Sequence, residues 1–232
     1  MELSIIIPTY NEEDNIGPLV RHLWHHGANE VHEVVVVDGD SADQTVNEAE
    51  QADAMVLQPG VKSRARQMNE GAKATSGNIL YFVHADARPP STYVTDIQQA
   101  IEKGYPHGCF RFRFDRYRGM LKVNSFFTRF DKTITRGGDQ TLFITRQLFD
   151  QVGGFRDDYI IMEDFEFIMR SQKAAPFTII PRDVIVSARK YEDNSWLRVN
   201  LANLIVYSLF HLGVSQHRLL STYKSLIKHP KF

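Results

Sequence analysis

Residues 34–45 read VVVVDGDSADQT, a run of four valines that ends in an aspartate and opens into a polar loop. Consecutive β-branched residues indicate a strand buried on both faces, as in a parallel sheet. ILYFVHADARPP, residues 79–90, repeats the arrangement, and IIMEDFEF, residues 160–167, places an acidic pair after a third apolar run. Because ligands of open α/β sheets bind beyond the carboxyl ends of the strands, these acids predict one shared site.

Strands and helices alternate through the first half of the chain. Apolar runs at residues 4–7, 31–37, 54–57 and 79–83 predict strands, with helical spacing of apolar residues between them. Such alternation predicts parallel strands joined by right-handed crossovers. Further on, GCFRFRFD at residues 108–115 alternates phenylalanine with charged residues, which predicts a half-exposed strand that is antiparallel or at an edge. The predicted fold class is α/β with a mixed, mostly parallel sheet.

Composition excludes several classes of protein. With 232 residues, 43% hydrophobic and 24% charged, the chain has the make-up of one globular domain. A formal net charge of −1 gives no general attraction to nucleic acid, so no nucleic-acid partner is expected. The single cysteine, Cys109, excludes a disulfide within the chain, and the N terminus lacks the layout of a signal peptide. We therefore predict a cytoplasmic protein.

Residues 195–214, SWLRVNLANLIVYSLFHLGV, form an apolar segment interrupted by an arginine, two asparagines and a histidine. A membrane-spanning helix needs about 20 almost uninterrupted apolar residues, so this segment is not expected to span. Three interpretations stay open: a helix packed on the body, a homo-oligomer interface, or an interfacial helix in peripheral contact with a membrane. The last interpretation is supported by the basic residues that follow: Lys224, Lys228 and Lys231.

In their order along the chain, these motifs resemble the family 2 glycosyltransferases, enzymes that use nucleotide-diphosphate sugars. The resemblance covers nearly the whole sequence. The HAD, GGDQ and SARKYE motifs further suggest the small, stand-alone, radical-SAM/selenodomain-associated subgroup. The matching segments are IIIPTYNEE (5–13), VVDGDSADQT (36–45), SRARQMNEGA (63–72), HADARPP (84–90), GGDQTLFI (137–144) and GGFRDDYIIMEDFEFIMR (153–170).

The resemblance implies the GT-A fold, with a Rossmann-like nucleotide-binding half and a mixed, mostly parallel central sheet flanked by helices. We expect one domain over residues 1–232: a nucleotide-sugar-binding half at 1–104, an acceptor and catalytic half at 105–194, and C-terminal helices at 195–232. The implied reaction is metal-assisted, inverting transfer of a single hexosyl group from a nucleotide-diphosphate sugar. A UDP-sugar is the favoured donor, and the acceptor is a hydroxyl of a small or lipid-linked molecule.

Donor contacts follow from the same resemblance. Asp86 would bind Mg²⁺ or Mn²⁺, which take one or two carboxylates together with phosphate oxygens and would stabilise the departing diphosphate. His84 stands where the family carries the first acid of its metal motif, and it fits a ribose or phosphate contact or an ordinary strand-end histidine. Arg64 opens a helix beside the phosphates. Glu12 also fits a simple helix-start charge, and Asp38 a turn residue. The full nucleotide and donor set is Pro8, Thr9, Tyr10, Glu12, Asp38, Arg64, His84 and Asp86.

The acceptor side carries the implied catalytic groups. Asp164 would be the general base that takes the acceptor's proton as its oxygen attacks the anomeric carbon. Glu163 would cap or support it, although both acids also fit simple negative charge at a helix N-terminus. Asp139, Gln140 and Arg189 would contact the donor sugar or the acceptor. The sequence around Arg189 resembles only a remnant of the motif found in polymerising members, which argues against synthesis of long chains.

Other functions are compatible with parts of the sequence. The missing first acid at His84 fits a nucleotide-sugar-binding protein without turnover. The C-terminal helix fits a membrane-surface adaptor. A nucleotidyltransferase is disfavoured, because PTYNEE lacks the Gly-rich, Lys- or Arg-bearing loop that these enzymes carry after the first strand.

Overall fold

The computed structural model describes residues 1–27, 30–116, 119–130 and 141–228. Its first half contains β1 (Leu3–Thr9), α1 (Glu13–Gly27), β2 (Val31–Asp38), α2 (Thr45–Gln51), β3 (Met55–Leu57), α3 (Arg64–Ala74), β4 (Ile79–Phe82), β5 (Ala87–Arg88) and α4 (Tyr93–Glu102). Its second half contains β6 (His107–Phe114), α5 (Leu121–Phe127), β7 (Leu142–Thr145), α6 (Arg146–Val152), α7 (Glu163–Ser171), β8 (Phe177–Val186), α8 (Trp196–His211) and α9 (Gln216–Leu226). A short 3-10 turn, Arg189–Tyr191, follows β8.

The described strands form one mixed sheet in the order β3-β2-β1-β4-β7-β6-β8-β5. Its first four strands are parallel, with β1 paired to both β2 and β4, and β2 paired to β3. These are the four strands that the apolar runs predict, and the prediction of a parallel half is confirmed. Their carboxyl ends therefore meet at one edge of the sheet.

Side chains of each strand alternate between two helical layers. Ile5 of β1 shares one core cluster with Leu23 of α1. Its neighbour Ile6 points to the opposite face and shares a second cluster with Met68 of α3 and Phe167 of α7. Because both faces of the sheet are covered, the strands consist of continuous apolar runs.

The second half of the sheet changes direction at β7. This strand is antiparallel to both β4 and β6. The prediction for β6 is only partly correct: residues 107–109 pair antiparallel with β7, but the whole strand pairs parallel with β8, so β6 lies inside the sheet. Its alternation has a local cause. The phenylalanines are buried, whereas Arg111 forms an ion pair with Asp183 of β8 at 3.2 Å and Arg113 is exposed.

The C-terminal helices pack on the body through a third apolar cluster. Val199 and Val206 of α8 meet Leu219 and Tyr223 of α9, and the cluster reaches Ile161 in the segment before α7. This arrangement confirms the interpretation of a helix packed on the domain. Among the helices of the described residues, none has the length and apolar character needed to cross a membrane.

Candidate active site

The loops at the carboxyl edge of the parallel strands rest on a buried polar floor. Asp38, fully buried at the end of β2, accepts hydrogen bonds from the Ser41 amide (2.9 Å) and the Ser41 hydroxyl (2.5 Å). The Thr9 hydroxyl lies 3.3 Å from the same carboxylate. Pro8 is buried beside Val37 in the β1–β2 pairing. In this structure Pro8, Thr9 and Asp38 therefore form a buried floor, and their contact with a nucleotide stays a prediction.

Gln67 of α3 ties this floor together. Its side-chain amide donates to the carbonyl of Thr9 at 2.8 Å and to that of Val37 at 2.7 Å. The two carbonyls belong to neighbouring strands, so one buried amide fixes how both strands leave the sheet. These two buried carbonyls are thereby hydrogen-bonded within the protein.

Tyr10 and Lys62 form the exposed rim above the floor. Tyr10 directly follows β1 and is exposed. The ammonium nitrogen of Lys62 lies 3.3 Å from the centre of its ring, a cation–π contact. A flat aromatic surface beside a positive charge suits a planar, anionic ligand such as a nucleotide.

Glu12 and Arg189 join the two ends of the site. Arg189, in the turn after β8, donates to both carboxylate oxygens of Glu12, at 3.2 and 3.3 Å. Glu12 is buried and also accepts from the Asn15 side chain at 2.7 Å. Arg189 itself stays exposed. The pair links the loop after β1 to the turn after β8.

Three acids and one arginine form the charged centre of the site. Arg64, at the start of α3, donates to Glu163, the first residue of α7, at 3.1 Å. Partial burial works against the charge of Arg64, yet its pKa is raised above the ordinary value. The upward shift comes from the carboxylates of Glu163, Asp164 and Asp86. These side chains, predicted separately from distant motifs, therefore lie within electrostatic reach of a single guanidinium.

His84, just after β4, lies next to Asp164 in this charged centre. Its Nε2 lies 4.0 Å from Oδ2 of Asp164, and both side chains are largely buried. Two residues later Asp86 is half-buried, and its carbonyl accepts from the amide of Ser187 after β8 at 3.2 Å. The end of β4, the start of α7 and the end of β8 thus converge on one pocket.

A divalent cation fits the chemistry of this pocket. The described residues contain no group of three or more His, Cys, Asp or Glu side chains arranged to hold a metal ion on their own. Mg²⁺ and Mn²⁺ need fewer protein ligands, because they take one or two carboxylates and complete their shell with phosphate oxygens and water. The half-buried carboxylate of Asp86, at the end of the loop after β4, is the candidate for such a ligand.

The backbone before α7 explains how its acids reach the pocket. Met162, the residue before the helix, has a positive φ of 66°. Such a conformation is unusual for a bulky residue and turns the chain sharply. The amides of Ile160 and Ile161 both donate to the side-chain oxygen of Gln216 in α9, each at 3.1 Å. The C-terminal helices therefore hold the loop that delivers Glu163 and Asp164.

Sequence reasoning did not find Gln67, Met162 and Gln216 as parts of this site. Gln67 lies within the segment SRARQMNEGA, but nothing in the neighbouring sequence indicates that its side chain donates hydrogen bonds to two distant carbonyls. Gln216 lies more than 50 residues from its partners. The predicted Asp139 and Gln140 lie outside the described residues, so they stay predictions. The other predicted residues all lie at the carboxyl edge of the sheet or at the start of α7.

Known proteins share this architecture. The Staphylococcus aureus protein TarS, solved with UDP-GlcNAc, matches with a TM-score of 0.68 over 97% of this chain and 71% of its own, at 18% identity. The mannosyltransferase PcManGT of Pyrobaculum calidifontis, solved with GDP-Man and Mn²⁺, matches with a TM-score of 0.66 over 97% of this chain and 73% of its own, also at 18% identity. These likenesses establish the GT-A fold.

Sequence comparison gives the family. A dolichol-phosphate mannosyltransferase of Pyrococcus furiosus is 29% identical over 109 residues. That match covers 45% of this chain and 31% of the relative, so the chain spans about a third of that protein. The sequence model of glycosyl transferase family 2 matches residues 4–160, which is more than half of the chain. The chain therefore belongs to the family 2 glycosyltransferases.

Proposed function

We propose that this chain moves a single hexosyl group from a nucleotide-diphosphate sugar to the hydroxyl of a small or lipid-linked acceptor. The observation that carries the proposal is the meeting of Arg64, His84, Asp86, Glu163 and Asp164 in one pocket at the carboxyl edge of the sheet. Transfer of a sugar from a diphosphate needs both cationic and carboxylate groups within reach of one centre. Membership of the family gives the reaction class.

The nucleotide would lie on the rim, with its base against Tyr10 and its phosphates toward Lys62 and Arg64. Pro8, Thr9 and Asp38, on the floor beneath the rim, would contact the nucleotide from below. The pair of Glu12 and Arg189 would close the far side, where Arg189 is exposed and within reach of a phosphate or the sugar. Related folds were solved with UDP-GlcNAc and with GDP-Man, and a UDP-sugar remains our preferred donor.

A divalent cation would be held by Asp86. When bound, Mg²⁺ or Mn²⁺ supplies positive charge that stabilises the leaving diphosphate. The Mn²⁺ of the PcManGT structure supports this assignment. His84 replaces the acid that most of the family carries in this motif, so the protein's own carboxylate charge near the phosphates is lower by one.

Asp164 would act as general base in a single displacement. The acceptor oxygen bonds to the anomeric carbon, the bond from that carbon to the diphosphate breaks, and the electron pair leaves with the diphosphate. The proton of the acceptor hydroxyl passes to the Asp164 carboxylate, and the anomeric configuration inverts. Exposure favours Asp164 over its neighbour, since its side chain is 14% exposed and that of Glu163 only 3%.

Glu163 would then serve as a positioning residue. Its carboxylate accepts a hydrogen bond from Arg64 of α3 and lies at the N-terminal end of α7, where the helix dipole favours negative charge. The pair would hold the first turn of α7 against α3. That contact fixes where Asp164 meets the acceptor.

The variant Asp164→Asn tests the proposal. We expect kcat to fall by about 10²-fold or more, as for loss of a general base, with little change in the donor dissociation constant. Asp158→Asn, an exposed carboxylate in the same segment, is the matched control and should keep its kcat. Unchanged turnover in Asp164→Asn would exclude the base role. Donor binding without turnover in the unmodified chain would instead favour a nucleotide-sugar-binding protein, the alternative suggested by His84.

Three narrower assignments stay proposals on the sequence motifs alone. They are membership of the radical-SAM/selenodomain-associated subgroup, a cytoplasmic location, and contact of Asp139 and Gln140 with the donor sugar or acceptor. A homo-oligomer remains compatible with the apolar C-terminal segment.

A further inference from the structure

Helix α8 is apolar on two opposite faces. One face, which includes Val199 and Val206, is buried against α9 and the segment before α7. On the other face, Leu197, Leu201 and Leu204 are 72%, 57% and 49% exposed. Their spacing of four and three residues places them in one stripe along the helix. A helix on the surface of a globular protein normally turns polar residues outward, so this second stripe needs a partner.

Helix α5 and the turn after it carry a second exposed apolar group. Phe126, Phe127 and Phe130 are all exposed, and their rings contact one another edge to face or tilted. Met120 and Val123 are exposed beside them. Large aromatic side chains clustered on a surface mark a binding surface more strongly than scattered ones do.

Asn124 joins the two helices. Its side-chain oxygen accepts from the indole nitrogen of Trp196 at 2.9 Å, and its amide nitrogen lies 3.3 Å from the side-chain oxygen of Asn200. Because α5 and the first turns of α8 are side by side, their exposed residues belong to one region of the surface. We call this region the α5–α8 face, defined by Met120, Val123, Phe126, Phe127, Phe130, Leu197, Leu201 and Leu204.

Every charged residue of α5 and α8 is basic, whereas two exposed acids, Glu192 and Asp193, lie just before α8, where Glu192 forms an ion pair with Arg116. Residues 119–130 and 195–228 contain no aspartate or glutamate. Arg129 stacks over the ring of Phe126 at 4.1 Å, so at least one cation lies directly within the apolar group. The basic residues of α5, the turn after it and α8 are Lys122, Arg129 and Arg198.

We propose that the α5–α8 face docks on the surface of an anionic phospholipid bilayer. Leucine and phenylalanine side chains would enter the boundary between headgroups and acyl chains, and the lysines and arginines would meet the lipid phosphates. A second copy of this chain fits the face less well. Two-fold pairing would set the same cations against each other with no carboxylate from these segments to neutralise them.

Docking would also place the active site close to the membrane. The buried face of α8 contacts the segment that ends at Met162, and the ring of Tyr207 lies 5.9 Å from that of Phe165 in α7. Only the thickness of α8, about 10 Å with its side chains, separates the leucine stripe from the start of α7. Resting on the proposed base role of Asp164, this geometry favours an acceptor hydroxyl carried on a lipid over a free small molecule.

Flotation with lipid vesicles tests the docking proposal, and it requires neither donor nor turnover. The purified chain is mixed with vesicles of phosphatidylcholine alone or with about one-third phosphatidylglycerol. We expect most of the protein to float with the anionic vesicles, little with the neutral ones, and a several-fold loss of binding at high salt. The double variant Leu197→Glu and Leu201→Glu should lower the bound fraction at least tenfold.

The control is Met55→Glu, which places the same charge on an exposed apolar residue of the outer strand β3. It should float like the unmodified chain, and thermal unfolding checks that all variants fold. Equal flotation of the leucine variant, or no binding to anionic vesicles, overturns the proposal. If the unmodified chain sediments as a dimer, the leucine variant sediments as a monomer and neither binds vesicles, the face belongs to an interface between two copies. Asp164→Asn should still float, so failure of docking and failure of the transferase proposal give different results.

Discussion

Two adjacent carboxylates of the site, Glu163 and Asp164, have different surroundings. Glu163 is the more buried of the two and bonds to Arg64 on another helix, whereas Asp164 lies 4.0 Å from His84 on the side of the pocket where β4 ends. The local sequence alone places both at a helix N-terminus, and their separate roles are predicted only from the family resemblance. The hydrogen bond of Glu163 with Arg64 on α3 supports the proposal that Glu163 positions the site and Asp164 takes the proton.

A double-mutant cycle measures the coupling of Arg64 with Glu163. Either single variant, Arg64→Met or Glu163→Gln, leaves a partly buried polar group without its partner, so each should cost about 1–3 kcal/mol of unfolding free energy. The double variant should cost less than the two single losses added together. Urea unfolding gives all four values. The exposed pair of Arg156 and Asp158 is the matched control, and its losses should be small and additive. Additive losses at Arg64 and Glu163 would contradict a coupled pair.

Glu33 lies near the start of β2, at the opposite end of that strand from the active site. Its ionisation makes the free energy of unfolding depend on pH. It accepts from the hydroxyl of Ser4 and the amide of Ser76, each at 2.7 Å. Partial burial would raise the pKa of Glu33, but hydrogen bonds from Ser4, Ser76 and Gly77 lower it below the ordinary 4.5. The ionised group therefore stabilises the fold above that pH, and the contribution is lost as pH falls through the lowered pKa.

In Glu33→Gln the free energy of unfolding should accordingly fall less steeply between about pH 5 and pH 3 than in the unmodified chain. Urea unfolding at a series of pH values measures the slope. Glu2→Gln, which changes an exposed carboxylate on the same end of the sheet, should leave the slope as it is. The account of Glu33 is contradicted by a slope that stays the same in Glu33→Gln.

At the scale of elements, α9 acts on the active site from outside it. Gln216 at its first turn accepts both amides of the strained segment before α7. Gln216→Ala should loosen that segment and displace Asp164, with a fall in kcat of roughly tenfold, because small misplacements of a catalytic group are costly. The donor KM should change little, since the proposed donor contacts lie on other elements. His217→Ala, an exposed neighbour, should have no effect; equal kcat in both variants would contradict the supporting role.

The elements themselves could be predicted to different degrees. The parallel strands β1 to β4 follow from local apolar runs, because a strand covered on both faces must be apolar throughout. The position of β6 could not be predicted, since its alternation of Phe and Arg depends on Asp183, more than 70 residues away. The site followed the same rule. Acids that end strands were predictable, whereas Gln67 and Gln216 act on distant backbone that only the folded chain brings near.

At the scale of the whole molecule, the candidate site is built by one sheet edge and closed by helices from the second half. Arg64 comes from the first half of the chain and Glu163 from the second, and their contact joins the two. The C-terminal helices pack against the segment before α7, and α8 contributes its exposed leucines to the α5–α8 face. The proposed donor site, the proposed base and the proposed docking face are thereby connected through α7 and α8.

The most direct measurement of the central claim is thermal stability of the purified chain against UDP-, GDP- and dTDP-sugars, with and without Mn²⁺. A donor at about 100 times its dissociation constant should stabilise the fold by about 2.7 kcal/mol and raise the midpoint by several degrees. We predict such a shift for one nucleotide, dependent on Mn²⁺ and lost in Asp86→Ala. The absence of a shift with every donor, under conditions in which the chain is folded, would contradict a nucleotide-sugar site at this edge.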